Sequence, residues 1–598
     1  MKNGMFSIAM AIAVAIIIAS SGLVTVAATG SYFTPANTGS NENGTLYISP
    51  GPTPAFVDNF NPFNMWSEPS GIMSLFYEPL LQINTYNGTT IPWLATSYEW
   101  SNNNTLLTLN LRHNVHFSDG IPFNSSDVVF TFNLQKKLFG EWGNINNIYA
   151  VNQYTVNFNF SKPDTQCLFY LGSDFMLPEK LWQNVSDPAS KIITNPVGTG
   201  PYVLSSFSGQ KIVLTANKNY WMSGEPKIKR IVYVDYTSNS ALTLAMAQGK
   251  VDWTSVFAPN ITTLFVSKDP KYNHYYFPPG QPVTLITNDA VYPFNLSYFR
   301  QAISLSINRT EICQVGEYGY EKPANAANIL AQQMFWLNST NAKMAEYLSE
   351  YNPSAAIKLL EKHGFTLKSG RLYNPNGTEI PALTIMSVAG YTDWDTDISI
   401  IASELSAIGL KVNIETPTSS VVASDIATGN FEMAQDTVTG IGPNPWYDYS
   451  GLVGSLTPIG KTAYINEERW NYTSTNFMKY YDEFPETSNV NTEKKLINDM
   501  AGIMLDQMPM IPLVYSADWY EYVNRTIGGF PNQNNGYWIP MPWYPGPMEV
   551  VLMHLYVKNS IKKSNNYLPY EVLGAIVVII IIGAVASLYL RKKRNNDR

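Results

Sequence analysis

The sequence predicts a mixed α/β chain folded into two or more lobes, and three observations carry that expectation. The chain has 598 residues, more than one hydrophobic core supports. Period-two apolar alternation and apolar stripes at helical spacing follow one another along it, instead of being segregated. An apolar run sits at each end, unlike anything between.

The strands come first. In TLLTLNLRHNVHF, Leu107, Leu109 and Leu111 alternate with Thr108, Asn110 and Arg112, the pattern of a half-buried strand, and LRHNVHFSDG then runs into an Asp-Gly turn. QYTVNFNF repeats the device with Val156, Phe158 and Phe160. Between them SSDVVFTFNLQKKLF predicts a helix with Ser125 and Ser126 as candidate caps. YNPSAAIKLLEKHGF has an Asn352-Pro353 start, an Ala/Ile/Leu face and Gly364 as its stop. ISIIASELSAIGL predicts a further helix leading into the strand-like KVNIET.

The ends set a topology. Residues 1–28 carry Lys2, a long apolar run and small residues at Val26-Ala27-Ala28, which reads as a secretory leader cleaved after about Ala28, with an uncleaved anchor as the alternative. Residues 572–590 are apolar and free of charge and are followed by RKKR. This is the signature of a membrane-spanning helix, since a bilayer core takes ~20 apolar residues. The basic tail, 591–598, is expected in the cytoplasm by the positive-inside rule, residues 558–571 form a stalk, and everything before them lies outside the cell.

Composition suits that placement. The chain is 14% charged, against a usual ~25%, and its polar surface comes largely from Asn, Ser, Thr and Tyr. The formal net charge of −8 becomes −13 once Lys2, the tail's five cations and Asp597 are set aside, which excludes nucleic acid as an expected partner. Thirteen Asn-x-Ser/Thr sequons fit a secreted, glycosylated chain. Cys167 and Cys313 are too few for a disulfide framework and read as two separate buried thiols, one bridge being the alternative.

The segment SLFYEPLLQINTYNGTTIPWLATSYEWSNNNTLLTLNLRHNVHFSDGIPFNSSDVVFTF resembles the opening domain of family 5 extracytoplasmic solute-binding proteins of ABC importers. Further resemblances follow in the family's order: NPVGTGPYVL, NKNYWMSGEPKIKRI, ALTLAMAQGKVDW, FRQAISLSINRTEI, LSAIGLKVNIE and MLDQMPMIPLVY, together covering about Leu46 to Tyr556. The resemblance implies a two-lobed periplasmic-binding-protein fold (type II, Venus-flytrap) with an extra domain inserted in the first lobe. The expected partition is a first lobe over 44–285 with its insert at approximately 80–190, a second lobe over 286–510, and a return to the first lobe over 511–557. It also implies a non-enzymatic function without cofactor: capture of an oligosaccharide or oligopeptide and delivery to the permease subunits.

The constellations that would carry other chemistry fail on inspection. His113 and His116 form an H-x-x-H, but residues three apart on a strand face opposite ways. Asp393, Asp395, Asp397 and Glu404 occupy positions 1, 3, 5 and 12 of a calcium loop, yet Ile398 stands where the sharp turn calls for Gly. Those acids also suit a helix N-terminus, where the dipole favours negative charge. NPVGTGPY lacks the Lys-Ser/Thr of a phosphate loop, and its glycines read as a tight turn before a strand. A secreted glycosidase is the competing reading from another class, because its two carboxyls can lie far apart in sequence.

For the ligand, GIGPNPWYDYSG (440–451) is the informative stretch. Its glycines and prolines predict a loop, on which Trp446, Tyr447 and Tyr449 offer faces suited to sugar C–H groups. The family's peptide binders carry an Asp a few residues before this turn to take the peptide ammonium. Ile441 stands at that position, and Asp436 lies five residues upstream. The stretch therefore resembles the oligosaccharide-binding branch, as does IGGFPNQNNGYWIPMPW in part, with Gly536 where a Pro is expected. Trp66, Trp394 and Trp519 flank lobe edges and complete the candidate ligand contacts, packing between lobes being the alternative for all six.

Overall fold

In the computed structural model, the described residues are 44–558, except 54, 64–70, 86–87, 140–143, 438–439, 441, 455 and 464. Trp66, Ile441, the leader and the apolar run 572–590 lie outside them. Among the described residues no helix is long and apolar enough to cross a membrane.

Strand Thr45–Ser49 runs parallel to Arg230–Val234 and Trp253–Thr254, with helix Asn239–Ala247 making the crossover between those two. A seven-stranded sheet builds outward from it: Arg230–Val234, Lys211–Ala216 and Tyr202–Ser208 on one side, Trp253–Thr254, Glu521–Val523 and Asn273–Tyr275 on the other. Leu46, Ile48, Ile231, Tyr233 and Trp253 are all buried in one core with helix Pro545–His554.

A second, six-stranded sheet has its own core. Leu383–Met386 is parallel to Val412–Glu415 and Met433–Asp436, while Pro279–Thr287 joins Met433–Asp436 to Met510–Ala517 in antiparallel register. Helices Ser297–Leu305, Pro353–Lys362, Thr392–Leu405 and Val490–Gln507 cover it. A four-stranded antiparallel sheet, Ala95–Ser101, Leu106–Leu111, Thr155–Phe160 and Ile145–Asn152, carries helix Ser125–Phe139. Leu107, Leu109, Leu111, Val156, Phe158 and Phe160 are buried, as their alternation predicts.

The chain crosses between the two large sheets twice, at 276–278 and 518–520. The crossovers bond to each other: Asp518 N donates to Pro278 O (2.9 Å) and Tyr276 N to Tyr520 O (3.0 Å). The expected boundary at 285/286 falls inside strand Pro279–Thr287, and that at 510/511 falls at the start of its partner Met510–Ala517. Both strands belong wholly to the second sheet because they pair with each other.

Two local expectations are corrected. GIGPNPWYDYSG holds a one-turn helix, Pro445–Asp448: Pro445 occupies the first helical position, where its missing N–H costs nothing, and Asn444 Oδ1 accepts from Trp446 N at 3.1 Å. The helix expected from Ile398 begins at Thr392, so Asp393, Asp395 and Asp397 are helical and form no loop. Among the described residues, no group of three or more His, Cys, Asp or Glu is placed to hold a metal. His113 instead stacks on Tyr154 with ring centroids 4.1 Å apart. Cys167 and Cys313 are free and buried in different cores.

Candidate ligand cleft

Parallel strands bring their C-terminal ends to one edge, where ligands of open α/β sheets bind. In the first sheet these ends lead to Pro52, Ser238 and Val256; in the second, to Gly390, Pro417 and Thr437. The two edges face one another. Asn239 Nδ2 donates to Asp393 Oδ1 (3.0 Å), Asn239 N to Gly390 O (3.3 Å), and Tyr391 Oη to Pro52 O (3.4 Å).

A second bridge closes the far side. Asn444 Nδ2 donates to Gln166 Oε1 and Tyr447 Oη to Gln166 O, both at 2.9 Å. Thr165 N donates to Pro485 O at 2.8 Å, and Lys162 pairs with Glu486. The segment following the four-stranded sheet is thereby docked on the second core.

A cavity of about 280 Å³ lies within the first lobe, between residues 62–63 and 74–85, helix Ser125–Phe139, the segment 169–177 that follows the four-stranded sheet, and the start of helix Pro545–His554. Phe63, Phe169, Phe175 and Tyr544 supply ring faces, and Thr85, Gln82, Gln135 and Asp174 supply polar groups. Thr85 also lines a narrow gap with Gly280, Leu330, Gln332 and Asp518, which connects this wall to the crossovers. Gln135 Nε2 donates to Asp174 Oδ1 at 3.1 Å, leaving Asp174 Oδ2 and Gln135 Oε1 without partners. Burial pushes the Asp174 carboxyl well above the usual range, so a neutral acid is the favoured form.

The six candidate residues separate. Trp446, Tyr447 and Tyr449 are 3%, 3% and 0% exposed. Trp446 stacks on Tyr481 (4.5 Å between centroids) and its Nε1 donates to Tyr481 O at 2.8 Å. Tyr449 Oη donates to Ala327 O at 3.1 Å. Tyr447 packs on Phe169 at 4.4 Å and meets the cavity through that ring. Trp519 sits on a crossover among Phe277 (4.8 Å), Phe257 (5.5 Å) and Tyr320 (5.9 Å). Trp394 packs against Tyr391 at the cleft edge (5.5 Å).

Sequence reasoning missed Phe169, Phe175, Gln135, Asp174 and Tyr544. Phe169, Asp174 and Phe175 are close in sequence, but Gln135 and above all Tyr544 come from separate segments, and no local pattern marks the set. Asp436 ends strand Met433–Asp436 at the cleft edge, where burial raises its pKa and Oδ1 accepts from Thr437 N at 2.6 Å.

Two lobes joined by paired crossovers, with the C-terminal ends of their parallel strands facing one another, define the two-lobed fold of periplasmic binding proteins. The profile of the bacterial extracellular solute-binding proteins, family 5 middle, matches residues 89–457, and the chain belongs to that family. Its relatives are substrate-binding proteins of ABC transporters, which are not enzymes. The peptide transport periplasmic protein SapA of Haemophilus influenzae is 24% identical over 544 residues, 79% of this chain and 88% of that protein. The nickel-binding periplasmic protein of Escherichia coli is 26% identical over 396 residues, 64% and 73% of the two chains. A periplasmic oligopeptide-binding protein of Thermotoga maritima, solved with mannohexaose bound, superposes with TM-score 0.79 at 28% identity, covering 87% of this chain and 100% of its own. The oligopeptide-binding protein AppA of Bacillus subtilis, solved with a nonapeptide, shares the fold at 17% identity and TM-score 0.70, over 86% and 99% of the two chains.

Proposed function

We propose that this chain is the extracellular binding component of an ABC importer and that it captures an oligosaccharide on the aromatic cavity wall of its first lobe. The observation that carries this reading is the lining: aromatic faces from Phe63, Phe169, Phe175 and Tyr544 beside the neutral polar groups Thr85, Gln82 and Gln135. Sugar rings present apolar C–H faces and hydroxyl rims, and such a wall suits both. The likeness to a relative solved with mannohexaose supports it.

On this reading the lobes comprise about 44–277 with 518–557, and 279–517, with the insert at about 80–190. They close by rotation about the two crossovers. Trp446, Tyr447 and Trp394 stiffen the cleft walls, Trp519 packs the hinge and Tyr449 packs the core. Trp66, the remaining sequence candidate, lies outside the described residues. The charge-free run 572–590 with its RKKR flank anchors the chain, the tail lies in the cytoplasm, and the sequon-rich exterior is secreted behind the 1–28 leader and glycosylated.

An oligopeptide is the second reading, favoured by relatives named for peptide transport. It needs an anion for the peptide ammonium, and Asp436 is the candidate; burial favours its neutral form. Calorimetric titration with mannohexaose, cellohexaose, tri- to nonapeptides and nickel decides. Saturable heat with a hexasaccharide supports the proposal; heat with peptides alone contradicts it.

A further inference from the structure

Among the described residues, fifteen aspartates and glutamates are buried against three buried cations, Arg300, Arg309 and Arg469. The cations do little to balance them. Arg300 pairs with Asp289 at 3.3 Å, but Arg309 donates to the carbonyls of Pro512, Ser304 and Ser349, and Arg469 to those of Ile426 and Ala427. A buried carboxylate without a counter-charge is costly, whereas a protonated acid is a modest polar group.

Two clusters bring carboxyls face to face. In the first core, Trp93 Nε1 donates to both Glu78 Oε1 (2.8 Å) and Glu549 Oε1 (3.2 Å), and both side chains are inaccessible. Tyr220 Oη and Trp221 Nε1 also donate to Glu78, at 2.8 and 3.0 Å, and Gln82 Nε2 donates to Glu549 at 2.7 Å. The nearby cation, Arg112, lies on the Trp221 ring, 4.3 Å from its centroid, and donates to the Trp93 carbonyl.

The second cluster gathers Glu317, Glu321, Asp393 and Asp397, all buried, with Asp518 and the Cys313 thiol beside them. Asp397 Oδ2 accepts from Gln435, Asp393 Oδ1 from Asn239, and Glu321 Oε1 from Ala517 N. Asp397 Oδ1, Glu317 Oε2 and Glu321 Oε2 have no donor. Glu317 and Asp397 face each other, so ionising both would set two negative charges side by side in the interior. Tyr391 faces Asp393, Asp395 takes the Ser387 hydroxyl, and the Arg309 guanidinium is held by the carbonyls named above.

We propose that this protein is built for acidic surroundings: its interior carboxyls are held as neutral, proton-sharing acids, and the fold loses stability when they ionise. Desolvation raises every member of both carboxyl clusters, Asp393 to about 6 and Asp397 to about 7, with Glu78, Glu549, Glu317 and Glu321 also raised. A carboxyl whose folded pKa is raised binds its proton more tightly in the native state. Its stabilisation is complete below the unfolded value near ~4 and is lost as pH rises through the folded value. That is the reverse of ordinary acid denaturation.

Thermal unfolding of the full chain, followed by circular dichroism from about pH 3 to about pH 8, tests this. The melting temperature is expected to be roughly 10 °C higher near pH 4 than near pH 8. A maximum near neutrality with a fall towards acid overturns the proposal. Glu549→Gln and Asp397→Asn keep shape and neutrality, so each should raise the melting temperature near pH 8 and leave it unchanged near pH 4. Unchanged profiles in both variants also overturn it. If either variant fails to fold, infrared spectroscopy of the wild type at neutral pH serves instead: a protonated-carboxyl C=O band is expected, and its absence contradicts the proposal.

Discussion

Asn239 Nδ2 donates to Asp393 Oδ1 at 3.0 Å, joining the first helix behind one sheet to the first turn of a helix behind the other. This contact lies across the facing strand ends and is made only when the lobes meet. Asn239→Ala should therefore weaken hexasaccharide affinity by roughly tenfold, the value of one hydrogen bond to a carboxyl. The melting temperature should hardly move. Calorimetry alongside a thermal melt separates the two effects.

Phe169 touches both the cavity and Tyr447, so its removal opens the wall and withdraws a stacking face. Phe169→Ala is expected to reduce affinity about tenfold, in line with ~0.5–1.5 kcal/mol for a ring contact beyond its area. A titration of the variant with mannohexaose checks it.

Trp519 packs at a crossover against Phe277, Phe257 and Tyr320. Trp519→Ala should cost about 3 kcal/mol of stability, as large-to-small changes among packed rings do, with less than tenfold loss of affinity. Denaturant unfolding compared with calorimetry gives both values.

Gly198 presses on backbone: a Cβ there would lie 2.1 Å from the Phe76 carbonyl oxygen. Gly198→Ala forces that turn apart and should cost about 2 kcal/mol or more, read from the denaturation midpoint.

Much of the fold was legible because it is written locally. Asn352 caps its helix through Ala355 N at 3.0 Å, and Gly364 stops it at φ 87°. The alternation at Leu107–Leu111 marks one face of one strand, and that face is buried. The aromatic stretch misled because glycine and proline propensities describe the chain before its neighbours arrive. Asn444 and Pro445 start a turn of helix, and Tyr481, Phe484 and Phe169 then cover its rings. The cavity was not legible at all: Phe63, Gln135, Asp174 and Tyr544 meet only through tertiary packing. Nor do burial and partnering of carboxyls appear in composition, so the −8 formal charge gave no sign of fifteen acids held inside.

The central claim is tested most directly by a crystal structure of the chain grown with mannohexaose. The account predicts sugar density between Phe169, Phe175 and Tyr544, with hydroxyls reaching Thr85, Gln135 and Asp174. Density for the sugar elsewhere, or an empty cavity at saturating sugar when a peptide fills it instead, would contradict it.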